Sequence, residues 1–439
     1  MATAADRGTR RGSLEPHVLV VGLNYAPEHA GIAPYTTGMA RHLAKAGFNV
    51  TAVTGYPHYP EWRIHCGYEG RHPARTDDGV LVRRLRHPVP ARPAGPMRIG
   101  LEAVFAAGVT GQLLRRRADV VVAVSPALLS VLPAVLLSRL RRYRLGVVVQ
   151  DLYGAAVQEA HLGGSVLRRA TTRLEAALLK RADSVVVIHD VFRARLVACG
   201  VPTDRIEVIP NWSHVAVPAS VDVSATRAKL GWRDDEVIAL HAGNMGVKQG
   251  LEGLIDTARL ADERGSRVRV VLLGDGSRRR ALTEYGREVP RLTFIEPLPP
   301  GRFEAALAAA DVLLLHEKPG VVEMSVPSKL TSYFSAGLPV VAATDTRSGA
   351  AALMTSSGAG LVARAGDASS ILTAIEAIAD DPRATEAMGA RARRYAAEHL
   401  TDLASLSRYE SWVKLLAQRA PVRRSARSPR PLPVHAESR

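Results

Sequence analysis

Short apolar runs recur along this chain, each broken by a glycine or proline turn and followed by a segment with helical spacing. This alternation constrains the fold more than any other feature. HVLVVGLNYAP (17–27) leads into YTTGMARHLAKAG (35–47) and then a second strand, FNVTAVTG. ADVVVAV (118–124), LGVVVQD (145–151), SVVVI (184–188) and IEVIPN (206–211) continue the series. Because the runs are apolar at successive positions, both faces of each strand must be covered, which calls for a parallel sheet between helical layers. The stretch 215–232, VAVPASVDVSATRAKLGW, loses the periodicity and reads as a junction. A second series follows: VIALHAG, the helix LEGLIDTARLA, VRVVLLGDG (268–276), LTFIEPLP (292–299), DVLLLH (311–316) and PVVAAT (339–344). The expected fold class is α/β, two doubly wound Rossmann-like domains facing across a cleft, with ligands beyond the carboxyl ends of the strands.

With 439 residues, 47% of them hydrophobic, the chain has material for two such cores, so disorder should be local. It is expected at 1–15, which lacks the apolar core of a signal peptide, and at 419–439, a basic tail rich in Pro, Arg and Ser. LASLSRYESWVKLLAQ (403–418) reads as an amphipathic closing helix, placed at 401–418. Cys66 and Cys199 are too few for a disulfide scaffold and lack metal-ligand spacing, which fits a reducing cytoplasm.

The formal charge is +16, from 58 Lys and Arg against 42 Asp and Glu. That charge is dispersed and aromatics make up only 5%, so no specific nucleic-acid partner is expected. A membrane surface, an anionic substrate or a compositional bias toward arginine accounts for it equally well. AVFAAGVTGQLL (103–114) and ALLSVLPAVLLSRL (127–140) fall short of the roughly 20 residues that span a bilayer. Beside the arginines at 115–117 and RLRRYR (139–144), they suit either core helices or peripheral attachment to an anionic inner membrane face.

HAGNMGVKQG (241–250) follows the strand VIAL and precedes a helix, with Gly243, Gly246 and Gly250 and a single lysine, Lys248. A strand turning into a helix N-terminus gathers free backbone N–H groups and the positive end of the helix dipole, so phosphate is the expected guest.

Together with this loop, NYAPEHAGIAPYTTGMARHLAKAGFNV, the aspartate of VVVQDLYG, VIPNW, LLGDG and VPSKLTSYFSAGLPVVA carry a resemblance in their order and spacing. From about 17 to 418 the chain resembles the retaining, nucleotide-sugar-dependent glycosyltransferases of the GT-B fold, family four, and within it the exopolysaccharide and colanic-acid type sugar transferases. The resemblance implies an acceptor-side domain over 16–214, a junction over 215–235 and a nucleotide-sugar donor domain over 236–400. It implies transfer of a glycosyl group from a nucleotide-diphosphate sugar, UDP or GDP, to an acceptor hydroxyl, with retention, in polysaccharide or glycoconjugate biosynthesis. The acceptor would be a sugar, a lipid-linked sugar or a small molecule. No DxD motif stands in the expected setting, so no cofactor and no essential metal site are expected.

In that family the loop bearing Gly31 approaches the donor diphosphate and the acceptor, and Glu28 and His29 in the same loop are acceptor candidates by position. Lys248 would bind the diphosphate and stabilise charge on the leaving group. Gly243, Asn244, Gly246, Gly274 and Gly276 would complete the donor side, although the GxG of LLGDG suits a purely structural turn equally. Relatives often carry an arginine earlier in the loop, where this chain has Asn244; one cationic contact is missing, to be made up by another residue or a metal. The wider family also places two glutamates eight residues apart before the glycine equivalent to Gly337, and here those positions are Met324 and Ser332. Glu323, Ser328 and Lys329 are the substitutes for contacts to sugar, phosphate and ribose, with a proline turn capped by Ser328 as the plain alternative. Asp151 and His189, at strand ends, join Lys248 and Glu323 as catalytic candidates; Asp151 would hold a sugar hydroxyl or orient the acceptor, or else cap a helix.

Other readings stay open. A pseudo-glycosyltransferase or epimerase-like enzyme of secondary metabolism would share the fold, and a catalytically inactive nucleotide-sugar-binding protein is supported by the absent acidic pair. A nucleic-acid binder rests on charge alone. A dinucleotide-dependent dehydrogenase is disfavoured, because GLNYAPEHAG stands where GxGxxG would be needed.

Overall fold

The computed structural model describes residues 15–29, 31–70, 72, 74–90, 96–125, 127–152, 165–213, 220–299, 301–320 and 328–419. The terminal segments 1–14 and 420–439, the first part of the junction, Glu323 and Met324 lie outside the described residues, as does the side chain of Ser328.

The first half runs β1 (His17–Val21), α1 (Ala33–Lys45), β2 (Asn49–Gly55), β3 (Arg75–Asp77), β4 (Val80–Leu85), α2 (Pro96–Arg115), β5 (Val120–Ser125), α3 (Leu128–Arg141), β6 (Arg144–Val149), α4 (Ser165–Leu179), β7 (Ser184–Val187), α5 (Asp190–Ala198) and β8 (Ile206–Val208). Among the described residues these strands form one sheet in the order β3-β4-β2-β1-β5-β6-β7-β8. Every pair is parallel except β3 with β4. The β3–β4 hairpin was not expected, because the arginines of VLVRRL interrupt its apolar run. As an edge it needs cover on fewer sides, and those arginines are half-buried.

The second half runs α6 (Val223–Leu230), β9 (Val237–Ala242), α7 (Glu252–Glu263), β10 (Val268–Leu273), α8 (Arg279–Tyr285), β11 (Leu292–Ile295), α9 (Arg302–Ala308), β12 (Val312–His316), α10 (Ser328–Ala336), β13 (Val340–Thr344), α11 (Gly349–Ser357), β14 (Gly360–Arg364), α12 (Ala368–Ala379), α13 (Pro382–His399) and α14 (Asp402–Gln418). Its sheet is parallel in the order β11-β10-β9-β12-β13-β14. Central strands β5, β9, β12 and β13 are buried at every residue, as uninterrupted apolar strands between two helical layers must be. Two α/β units of the Rossmann type face each other across a cleft.

The last helix does not stay with the second unit. α14 crosses back and lays Tyr409, Trp412, Val413 and Leu416 into the core of the first sheet. Gly146 in β6 makes room: a Cβ there would lie 2.4 Å from Cη2 of Trp412, while the indole Nε1 donates to Ser184 Oγ at 2.8 Å. The two chain crossings are tied together, with Ser213 N donating to Leu400 O at 2.9 Å and Ser405 Oγ to Pro210 O at 2.8 Å.

The apolar stretches beside the arginines lie in α2 and α3, which pack on each other and on the first sheet through Leu101, Phe105, Val109, Leu113, Leu128 and Val131. Their other sides expose Met97, Ile99, Val104, Leu114, Leu136 and Leu140. Among the described residues no helix is long and apolar enough to cross a membrane.

Candidate functional site

The carboxyl end of β9 opens into the loop 243–251, which leads directly to the first turn of α7. A second loop braces it from below. Gly243 N donates to Leu273 O and Met245 N to Asp275 O, both at 2.8 Å. A Cβ on Gly274 would lie 2.1 Å from Gly243 O, and one on Gly276 would lie 2.6 Å from Met245 O and from Asn244 Oδ1. The two glycines of LLGDG therefore let one backbone pass against the other, which is a reason for glycine independent of any ligand. Gly246 N donates to Gln249 Oε1 at 3.0 Å, and Asn244 is exposed above it. The Lys248 carbonyl accepts from Lys318 N at 2.7 Å, tying the loop to the segment after β12.

The Lys248 side chain is half-buried, and burial lowers its pKa; Asp151 and Glu317 oppose that shift and Arg98 adds to it. Burial likewise raises the carboxyl of Asp151, against the pull of Lys248 and Arg98. Glu317 is raised by burial, offset by the hydroxyl of Thr344 and by Lys248. Asp151 and Arg98 belong to the first unit, Lys248 and Glu317 to the second, so charged groups of both signs act on one another electrostatically across the cleft. Desolvated groups of opposite sign stabilise one another's charged forms, and such clusters mark functional sites more often than surface pairs do.

The loop after β1 forms the opposite wall. Glu28 is buried; its Oε1 accepts from His58 N at 2.7 Å and Tyr59 N at 2.9 Å, and its Oε2 from Asn24 Nδ2 at 2.9 Å. Its carboxylate thus holds the 56–62 loop in place. Gly31, at φ +63°, sits beneath the Tyr59 ring, where a Cβ would come within 3.0 Å of Cε1. Tyr59 is pushed up by burial and also feels Arg98, Asp151 and Glu28, which places it beside the cross-cleft cluster. His29 is exposed at the loop.

His189 stands elsewhere. Its Nδ1 accepts from Val191 N at 3.1 Å and so caps α5, and burial lowers its pKa. It lines a cavity of about 620 Å³ with Asp190, Ser356, Arg391, Tyr395 and His399, and no residue of the 243–250 loop borders that cavity. Lys329, by contrast, reaches the loop: its Nζ lies 2.6 Å from His241 Nε2. Among the described residues no group of three His, Cys, Asp or Glu could hold a metal ion.

Residues 30–212 match the family described as a glycosyl transferase 4-like domain, and residues 236–381 match the glycosyl transferases group 1. The chain is 31% identical over 332 residues to the protein named "Putative colanic acid biosynthesis glycosyl transferase WcaI" of Escherichia coli K12, covering 73% of this chain and 81% of that one. The chain belongs to the family-4-like glycosyltransferases. The same fold is found in sucrose-phosphate synthase of Thermosynechococcus elongatus (TM-score 0.71, 18% identity, 92% of this chain and 100% of that one). It also recurs in Anabaena HepE in complex with UDP-glucose (TM-score 0.67, 16% identity, 91% and 100%). At these identities the structural likeness speaks for the GT-B fold alone.

Three residues of this candidate site were not singled out in the sequence: Arg98, Tyr59 and His241. Arg98 falls in a helix that reads only as apolar, and Tyr59 in a loop without periodicity. His241 did carry a signal, an imidazole inside an otherwise apolar strand.

Proposed function

We propose that this protein transfers a glycosyl group from a nucleoside-diphosphate sugar to an acceptor hydroxyl, with retention, in the assembly of a polysaccharide or glycoconjugate. The observation that carries the reading is the glycine loop 243–250, which turns from the carboxyl end of β9 toward the N-terminus of α7 and carries Lys248, with Asp151 of the first unit acting on that lysine electrostatically. The loop N–H groups and Lys248 take the donor diphosphate and stabilise the charge that builds as the glycosidic bond breaks. Asp151 holds the acceptor hydroxyl on the other side of that bond. In the front-face course associated with this family, a donor phosphate oxygen receives the acceptor proton as the new bond forms. UDP is the first donor nucleotide to test, since HepE with this fold binds UDP-glucose.

Purified protein incubated with UDP-, GDP-, ADP- and dTDP-sugars should release one nucleoside diphosphate in the presence of acceptor, and Lys248→Ala should abolish the release. Folded protein that neither binds nor turns over any of them would overturn the reading.

An acceptor carried by a membrane lipid is favoured by one further observation. The exposed apolar residues of α2 and α3 adjoin exposed Arg115, Arg117, Arg139 and Arg142, a combination suited to an anionic surface. The protein should sediment with phosphatidylglycerol vesicles but not with phosphatidylcholine vesicles, and charge reversal at Arg115 and Arg117 should release it. Equal behaviour with both lipids would remove this part of the reading.

A further inference from the structure

Asn244 leaves the donor loop with one cation, Lys248, and a second arrives from a different segment. Lys329 departs from the first turn of α10 and its side chain runs across Gly243, where a Cβ would lie 3.0 Å from Lys329 Cε and 3.6 Å from Nζ. Nζ lies 2.6 Å from His241 Nε2 and 3.4 Å from Asn244 O. His241 is fully buried in β9, and its Nδ1 lies 3.1 Å from Leu314 O. A carbonyl can only accept, so Nδ1 carries the proton and Nε2 presents its lone pair to the ammonium. Burial and the neighbouring Lys329 both keep the imidazole neutral.

Lys329 is therefore held by two neutral acceptors, and among the described residues no carboxylate pairs with it. It also stands at the N-terminus of a helix, the end where the dipole disfavours a cation. Burial brings its pKa down to about 7. A cation desolvated, unpaired and set against a dipole is costly in the free protein. An anion placed on the 243–248 loop answers all three costs at once.

We propose that Lys329, positioned by His241, is the second cation of the donor diphosphate site and supplies from α10 the charge that Asn244 does not supply from the loop. This rests on the function proposed above. Lys329 touches the diphosphate; His241 is a positioning residue that acts through Lys329.

The test is calorimetric binding of UDP, GDP, ADP, dTDP, their monophosphates and inorganic pyrophosphate to the full-length protein and to Lys329→Met, Lys329→Arg and His241→Phe. For the nucleotide that binds wild type, Lys329→Met should weaken the diphosphate at least about tenfold while changing the monophosphate less than about threefold, the loss of one charge-assisted contact. Lys329→Arg should restore part of the preference, and His241→Phe should lose most of it with Lys329 still present. Folded Lys329→Met with an unchanged diphosphate-to-monophosphate ratio would overturn the proposal while leaving the proposed function intact. If Lys329→Met does not fold, an unchanged ratio in His241→Phe overturns the positioning claim, and an unchanged pyrophosphate affinity in it overturns the whole. Wild type that binds none of the probes would sink the proposed function, and this inference with it.

Discussion

The buried carboxylate of Glu28 accepts the backbone N–H of His58 at 2.7 Å. With the Tyr59 N–H at 2.9 Å on the same oxygen, it fixes the loop that carries Tyr59 over Gly31. Glu28→Ala would leave two backbone donors without an acceptor in a buried setting, each costing about 1–3 kcal/mol. Chemical denaturation should show a loss of about 2–4 kcal/mol, and Glu28→Gln, which keeps an acceptor oxygen, a smaller one. A wild-type midpoint in Glu28→Ala would mean that the loop is held by other contacts.

On the function proposed, Lys248→Ala removes the loop cation that would stabilise the leaving group. Turnover should fall by about a hundredfold or more, the cost of losing one preorganised electrostatic contact. Stability should fall only modestly with it: the cost of desolvating the lysine is relieved, while Asp151 and Glu317 lose the cation that favours their charged forms. Steady-state rates within about threefold of wild type would remove Lys248 from the reaction.

Asp151 acts electrostatically on the same lysine and favours its charged form. Asp151→Asn should leave nucleoside-diphosphate binding as tight as wild type or several-fold tighter, while kcat drops at least about tenfold through loss of acceptor positioning. If diphosphate affinity and turnover fell in parallel, Asp151 would instead be shaping the donor site.

Lys329 gives a pH signature. Its folded pKa, about 7, lies below the ordinary 10.5, so between those values the unfolded chain holds more protons and stability rises with pH. The full cost is present below pH 7 and is gone above about 10.5. Nucleotide-free Lys329→Met should therefore exceed wild type in stability by on the order of 2 kcal/mol at pH 6, a figure reduced from the full shift because the site opens on the cleft. The advantage should fade toward pH 10 in unfolding curves; a pH-independent difference would show that packing, not charge, sets it.

The alternation of apolar runs and helical segments was enough to read both sheets, because runs such as VVVAV and VVAAT need cover on two faces and only one architecture provides it. The exceptions have physical causes. β3 and β4 lie at an edge, where arginines are tolerated and the apolar signal fades, and GLVAR of β14 is half-exposed for the same reason. Within the site, the 241–250 loop was legible because its chemistry is local: glycines, a lysine and a helix start in consecutive positions. The pairing of Lys329 with His241 spans 88 residues and exists only once β9, β12 and α10 are side by side. Arg98 likewise acquires meaning from Lys248 across the cleft, and Tyr59 from Arg98, Asp151 and Glu28, which are distant in sequence. Glycines 274 and 276 suited a nucleotide-side turn or a purely structural one equally, and the close approach of the Gly243 and Met245 backbone supplies a reason of packing.

The crossing of α14 has a consequence for how the molecule comes into being. Trp412 and Val413 are wall material for a sheet whose strands end at Val208, so that sheet leaves the ribosome with one face covered by α1 but not yet by α14. The whole second unit has to be synthesised before the last helix can close it, and the first half to be made is the last to be finished. A nascent chain halted near residue 400 would show a folded second unit beside an unsealed first one, the reverse of the order in which the two were made.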